Sequence, residues 1–215
     1  MGYRLVCVDY DRTVTDEALR PHLEAIAALR DARRRGIRTA LVTGRFFSFA
    51  EKFSSRHPEA VDAYVMENGC IGVAEGRKEL LCDPDGRAEV LARVRALPVA
   101  WAAGEVVISV EAAARERLLP HLPEGFEAIP NVDALMVVPK GVSKAGGVAW
   151  LQRRLGISRP ETAGIGDGEN DLCFREACGF VGAPANSTPE MKALADVVSA
   201  KGYGAGTAEI LRSLR

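Results

Sequence analysis

"RLVCVDYDRTVTD", residues 4–16, is the stretch on which the reading of this chain turns. An apolar run ends at Val8 and is followed at once by Asp9 and, two residues on, by Asp11. Carboxylates at the end of a strand entering a hydrophobic core are costly to bury unless something compensates them. Two explanations are open at this point: solvated turn residues, or acids that await a cation and a reaction.

Working outward, residues 17–35 are expected to form a helix with Leu19, Leu23 and Ile26 on one stripe and Asp16 as its N-cap. Arg33, Arg34 and Arg35 suit the end of that helix, where cations complement the dipole before Gly36. A strand over Ile37–Val42 breaks at Thr43-Gly44, a helix through "FFSFAEKFSSR" stops before Pro58, and "DAYVMENG" (62–69) is a strand running into a turn. Strands alternating with helices specify a parallel sheet with helices on its faces. After residue 70 the rhythm changes. A hairpin turning at Glu75-Gly76 precedes a helix over 86–97, a strand over 106–110, a helix over 112–119 and strands over 126–129 and 134–138. From Val142 the first rhythm returns, with helices over 143–155, 170–177, 188–195 and 206–214 and strands over 161–166, 179–182 and 196–199. The chain thus reads as an α/β core of residues 1–74 and 141–215 interrupted by a smaller α+β module at 75–140.

Composition narrows the function. The 215 residues carry a formal net charge of −1, with 47% hydrophobic and 27% charged residues, an ordinary globular balance that suggests neither a nucleic-acid surface nor a membrane patch. The five cysteines (Cys7, Cys70, Cys82, Cys173, Cys178) are odd in number and form no C-x-x-C pair. With charges at Arg4, Asp9 and Asp11 interrupting any apolar leader, reduced thiols and a cytoplasmic location are expected. His22, His57 and His121 lie away from the motifs below, and they, Trp101 and Trp150 are read as packing or surface residues. Nothing in the sequence sets the number of copies in an assembly.

In open α/β sheets, ligands gather at the carboxyl ends of the strands. Polar groups fall at four such places: Asp9 and Asp11, Thr43, Lys144 just after the module, and Asp167 with Asp171 after "AGIG". Singly, each has an ordinary reading as a cap, a turn or a solvated charge. Together, several acids with one lysine and one hydroxyl form a crowd of like charge that a hard divalent cation relieves. Mg²⁺ prefers oxygen ligands, and a phosphoryl group is the matching anion for Lys144. Phosphoryl transfer is the chemistry that fits the set.

"DYDRTVTD" resembles the D-x-D-x-T signature of the haloacid dehalogenase (HAD) superfamily, "VTGR" its second motif, "GVSKAGGV" its lysine motif and "GIGDGENDL" its fourth, acidic motif. "ENGC" (67–70) and "VGAPANSTPEMKALADVVSA" (181–200) resemble the phosphatase branch with an inserted α+β cap, of the Cof, sucrose-phosphatase and archaeal phosphoglycolate phosphatase kind. The resemblance implies a Rossmann-like parallel-sheet core, a specificity cap and a Mg²⁺-dependent phosphomonoesterase acting on a small phosphorylated metabolite such as a sugar phosphate or a phosphoglycolate-like acid. It further implies that Asp9 is the nucleophile that forms an aspartyl phosphate and Asp11 the general acid/base. Thr43, Gly44, Lys144 and Asn170 would contact phosphate; Asp9, the Asp11 carbonyl, Asp167 and Asp171 would hold the metal. Arg12 stands where the family carries glycine, so close backbone approach to phosphate is expected only if its φ stays negative. Its side chain faces either solvent or an anionic substrate group. Arg45 either touches substrate or pairs with a neighbouring acid, and Glu67-Asn68-Gly69 is either a plain turn or part of the site's mouth.

Two rivals share parts of this chemistry. A phosphomutase would return the phosphoryl group to another hydroxyl. A non-enzymatic phospho-acceptor domain would hold it, but such modules are shorter and lack an insert.

Overall fold

A computed structural model of the chain describes residues 2–131 and 134–215. Its large sheet begins with β1 (Leu5–Val8), followed by α1 (Leu23–Arg34), β2 (Arg38–Val42), α2 (Ser48–Arg56), β3 (Ala63–Met66), β4 (Ile71–Ala74) and β5 (Arg77–Leu80). A second layer holds α3 (Arg87–Ala96), β6 (Trp101–Ala103), β7 (Ile108–Glu111), α4 (Arg115–Leu118), β8 (Phe126–Asn131) and β9 (Ala134–Pro139). The chain then returns through α5 (Lys144–Leu155), β10 (Thr162–Ile165), α6 (Phe174–Ala177), β11 (Phe180–Ala183), α7 (Pro189–Leu194), β12 (Val197–Val198) and α8 (Tyr203–Ser213).

The large sheet runs β12-β11-β10-β1-β2-β3-β4-β5. Strands from β12 to β3 are parallel, and β4 and β5 are antiparallel. β1 lies near the middle and is buried on both faces, which is why it reads as a continuous apolar run rather than an alternating one. Its alternate residues still part company. Val6 and Val8 pack into the core under α1, α2 and α8. Leu5 and Cys7 pack into the opposite core under α5, α6 and α7. From β1 the chain winds outward through β2 and β3, then returns on the other side of β1 as β10. The crevice between β1 and β10 is therefore the topological switch point, where an open α/β sheet binds its ligand.

The hairpin at Glu75-Gly76 turns with φ of 51° and 72°, the primed geometry that matches strand twist. Its strand β5 pairs with β4 and so extends the large sheet. The four-stranded antiparallel sheet of the second layer has the order β6-β7-β9-β8. One face packs Ile108, Val110, Leu135 and Val137 against Val90, Val94 and Leu118 of α3 and α4. The other presents Ala102, Ser109 and Met136, neighbours in register, to a cleft above the large sheet.

The expected helix over 17–35 begins late, at Leu23. Pro21 disfavours helical backbone at Arg20, and Leu19 adopts φ 59° in a turn. Asp16 accordingly caps that turn, accepting from the Arg20 backbone N–H at 2.9 Å. Leu19 and Leu23 are exposed, and only Ile26 of the anticipated stripe is buried. The segment 170–177 divides into a 3-10 turn over Glu169–Asp171 and the short α6. The last helix starts three residues before the expected 206. β6, carrying half-exposed Trp101 at a sheet edge, had no counterpart in the sequence reading. All five cysteines are free thiols.

Candidate active site

Asp9 follows β1 directly, its N–H donating to Ile165 of β10 at 2.9 Å. Asp167 leaves the end of β10 two residues beyond that strand. Neighbouring parallel strands thus deliver both acids to the switch point. Asp171 joins them because the tight turn "GDGEND" folds back: its Oδ2 accepts from the backbone N–H groups of Asp167 (3.0 Å) and Gly168 (3.1 Å). One carboxylate oxygen from each of Asp9, Asp167 and Asp171 lies within 4.8 Å of the others, and all three residues are buried.

Lys144 enters from the first turn of α5, whose N-cap Ser143 accepts from Gly146 N–H at 3.1 Å. A cation at a helix N-terminus opposes the dipole, and its side chain is 1% exposed. Two carboxylates offset both costs: Nζ donates to Asp9 Oδ1 and Asp171 Oδ1, each at 2.6 Å. Burial alone would lower the ammonium's pKa, yet Asp171 and Asp9 hold it well above its ordinary value. Burial pushes the Asp9 carboxyl well up; Lys144 pulls it down, and Asp171, Asp167 and Asp11 add to the rise. Asp167 is pushed up to about 6, first by burial and then by Asp171. These directions express one condition. The lysine keeps its proton, and three buried carboxylates exceed the single ammonium among them. A set made only of oxygen donors, short of positive charge, fits a hard divalent cation such as Mg²⁺.

Asp11 stands apart from that cluster, partly exposed, with Arg45 Nε donating to its two oxygens at 2.9 and 3.1 Å. Arg45 forms this ion pair and lines the cleft above the large sheet. Its guanidinium also lies 4.8 Å from the ring centres of both Tyr10 and Phe49, a stacked and paired geometry that only arginine fills. Thr43 is buried at the end of β2, with its hydroxyl accepting from Arg45 N–H at 3.2 Å. Gly44 follows and lines the cleft. Asn170 lies in the 3-10 turn beside Gly168.

Arg12 does not meet the negative-φ condition set for close backbone approach to phosphate. It adopts 61°, the left-handed conformation that glycine takes most easily. Two contacts hold the backbone there: Arg12 N–H donates to Thr15 Oγ1 at 2.7 Å, and Asn186 Nδ2 donates to the Arg12 carbonyl at 3.0 Å. Its side chain is 42% exposed to solvent and runs along the rim of the acid cluster, with Nε 4.0 Å from Asp167 Oδ2.

Sequence reasoning missed two neighbours of this cluster. Thr13 Oγ1 donates to Asp167 Oδ1 at 2.8 Å, and Asn186 Nδ2 reaches Asp167 Oδ2 at 3.5 Å. Both lie inside stretches already singled out, "DYDRTVTD" and "VGAPANSTPE". A lone Thr or Asn after a strand reads as a turn residue unless its partner is known.

Beside the acid-bearing loop, where Tyr10, Gly44 and Arg45 line it, a cleft of 640 Å³ opens between the two layers, of a size suited to a small molecule. The clustered acids and Lys144 are not among its described lining residues. Gly44, Arg45, Phe49, Lys52 and Arg56 line its core side, and Ala102, Ser109, Asn131 and Met136 line the other. Among the described lining residues there are four Lys or Arg side chains and no Asp or Glu. His57 stands on this wall too, closer to the site than its place in the sequence suggested.

The family model for haloacid dehalogenase-like hydrolases matches residues 111–211. A phosphoglycolate phosphatase of Methanothermobacter thermautotrophicus is 31% identical, the match covering 97% of each chain. Another from Methanopyrus kandleri is also 31% identical, over 98% of this chain and 96% of the relative. Among solved structures, a Thermoplasma acidophilum protein superposes with a TM-score of 0.86 at 20% identity, over 99% of this chain and 98% of that one. A haloacid dehalogenase subclass IIB sugar phosphatase superposes with a TM-score of 0.77 at 18% identity, over 97% and 98%. No helix among the described residues is long and apolar enough to cross a membrane. Full-length likeness to the phosphoglycolate phosphatases, on a fold that gathers acids and a lysine at its switch point, settles the family: the chain belongs to the haloacid dehalogenase-like hydrolases and is a phosphatase.

Proposed function

We propose that this phosphatase hydrolyses a small phosphomonoester through an aspartyl phosphate on Asp9, and that its substrate is a short phosphorylated acid of the phosphoglycolate kind. The observation that carries the mechanism is the buried set of Asp9, Asp167 and Asp171 around Lys144 at the β1/β10 crevice. Asp9 attacks phosphorus in line and displaces the alcohol, splitting one hard displacement into two easier ones. Asp11, two residues after the nucleophile, gives a proton to the leaving oxygen once Arg45 releases its carboxylate. It then takes a proton from the water that cleaves the intermediate. Lys144 balances charge on Asp9 and on the phosphoryl oxygens, which the Thr43 hydroxyl and Gly44 N–H also hold, with Asn170 as a further donor.

Asp9, the Asp11 carbonyl, Asp167 and Asp171 would hold Mg²⁺, with Asp171 acting directly or through water. Thr13 and Asn186 would keep Asp167 in place. When bound, the ion neutralises the carboxylates and the phosphoryl charge.

Arg20 and Arg45 of the lining are paired with Asp16 and Asp11, but Lys52 and Arg56 have no carboxylate partner among the described residues, and these two support an anionic leaving group over a neutral sugar. We further propose that the layer between β5 and α5 acts as the cap that selects this group. The test is phosphate release from a panel of phosphoglycolate, other short phosphorylated acids and sugar phosphates, with Mg²⁺ present. The proposal expects the highest kcat/KM on an acid; a clear preference for neutral sugar phosphates would overturn the substrate assignment.

A further inference from the structure

Glu67, wholly buried at the end of β3, is absent from the chemistry above. Its carboxylate accepts four backbone N–H groups. One comes from Phe47, at 3.1 Å, just ahead of α2 and between the cleft-lining residues Phe46 and Ser48. Three come from Glu105, Val106 and Val107, at 2.9, 2.8 and 2.9 Å, in the loop that joins β6 to β7. An ionised carboxylate is an acceptor only, so four converging donors match it and compensate its burial.

The backbone that presents Glu67 is strained. Glu67, Asn68 and Gly69 have φ of 53°, 58° and 108°, and consecutive left-handed residues persist only where their surroundings hold them. Here the surroundings are the catalytic loops. Glu67 N–H donates to the Arg45 carbonyl at 3.1 Å and Asn68 N–H to the Thr43 carbonyl at 3.2 Å. A Cβ at position 69 would stand 2.2 Å from the Ser143 carbonyl oxygen, so the turn is pressed against the end of α5 that carries Lys144. The far side of the 104–107 loop is held by its own layer: Arg87 donates to the carbonyls of Gly104 (2.6 Å) and Val106 (3.0 Å). One side chain therefore joins both walls of the cleft to the turn that backs the phosphate-binding residues.

We propose that Glu67 is a positioning residue for substrate selection: its carboxylate ties the β6–β7 loop to the turn behind Thr43–Arg45 and so fixes the cap's wall over the phosphoryl site. This rests on the phosphatase and cap assignments of the previous section. Ala102 and Ser109, which flank the tied loop, line that wall, so a loosened tie alters the hold on the leaving group before it alters transfer to Asp9.

The test uses the full chain and two variants. Glu67→Gln replaces an acceptor oxygen with an NH₂ that faces N–H donors. Gly104→Ala acts from the opposite side, since its Cβ would meet Glu67 Oε1 at 2.4 Å and the Phe46 ring at 2.6 Å. In both, amide exchange at 105–107 should speed up by ~10-fold or more while β1 and β10 stay protected. KM for phosphoglycolate should rise by ~10-fold with kcat within about twofold, and kinetics on acetyl phosphate, whose acetyl end carries no charge until the P–O bond breaks, should stay within about twofold. Unchanged exchange at 105–107, or equal losses on the two substrates, would overturn the proposal. Should Glu67→Gln fail to fold, Gly104→Ala decides by the same readouts. Should the unaltered chain release no phosphate from any ester, the phosphatase reading fails, and exchange alone decides the tie.

Discussion

The acid cluster and the cleft that opens beside it are built on opposite physical plans. In the cluster, Asp9, Asp167, Asp171 and Lys144 are buried and locked by hydrogen bonds as short as 2.6 Å. In the cleft, Lys52, Arg56 and His57 project from one face of α2 and its end toward an open wall of Ala102, Ser109 and Met136. On the proposed mechanism the first, with buried charge that suits a cation and an anion of one shape, sets the reaction. The second, with positive charge in a partly aqueous setting where contacts are readily exchanged, sets the substrate on the same proposal.

This contrast breaks most sharply at Asp9. Asp9→Asn keeps the shape and removes the nucleophile, so turnover should fall by roughly four orders of magnitude or more with the fold intact by circular dichroism. Normal rates in that variant would end the mechanism. Removing divalent metal with a chelator should abolish turnover as fully, but reversibly, and added Mg²⁺ should restore it and raise the melting temperature. Lys144→Ala joins the two effects. Two buried carboxylates lose their cation, so activity should vanish and stability should fall by ~3–5 kcal/mol in denaturant unfolding. In the cleft the effects shrink. Lys52→Ala and Arg56→Ala should each raise KM for an acidic substrate by ~10-fold and leave kcat nearly unchanged, with lesser effects on a neutral sugar phosphate.

The smallest effect lies away from the cleft, at Asp62. Burial alone would raise its carboxyl, but hydrogen bonds from Arg33 and the Thr39 backbone, with charge from Arg33 and Arg38, hold it below the ordinary value. A carboxyl lowered by folding contributes stability above its unfolded value near 4 and loses it as pH falls through the folded value. Asp62→Asn should therefore lower the melting temperature by ~3 °C at pH 7, and the gap should close toward pH 3.

The same contrast explains what could be read from the chain alone. Acids at strand ends with fixed spacing are legible, because a parallel sheet sends every strand's carboxyl end to one edge. Asp9, Thr43 and Asp167 are sent to that edge from places far apart in sequence, and the first turn of α5 adds Lys144. The α/β alternation was legible for the same reason, as buried runs such as "LVCV" bounded by turns. The beginning of α1 was not, because apolar spacing at Leu19 and Leu23 imitates a helix that Pro21 prevents. Glu67 and Asn186 were quoted within motifs, yet their work depends on partners in other layers that no local pattern reveals. The cationic wall was hidden more completely still: Lys52 and Arg56 on a helix read as solvated charge until Met136 and Ser109 close the other side.

The central claim is that acids from separate strand ends meet on one Mg²⁺ and leave Asp9 to take the phosphoryl group. A crystal structure grown with Mg²⁺ and beryllofluoride tests it most directly. The account predicts beryllium bonded to Asp9, and one magnesium contacting Asp9, Asp167 and the Asp11 carbonyl. Beryllofluoride bonded to a different residue, or a metal seated away from these acids, would contradict it.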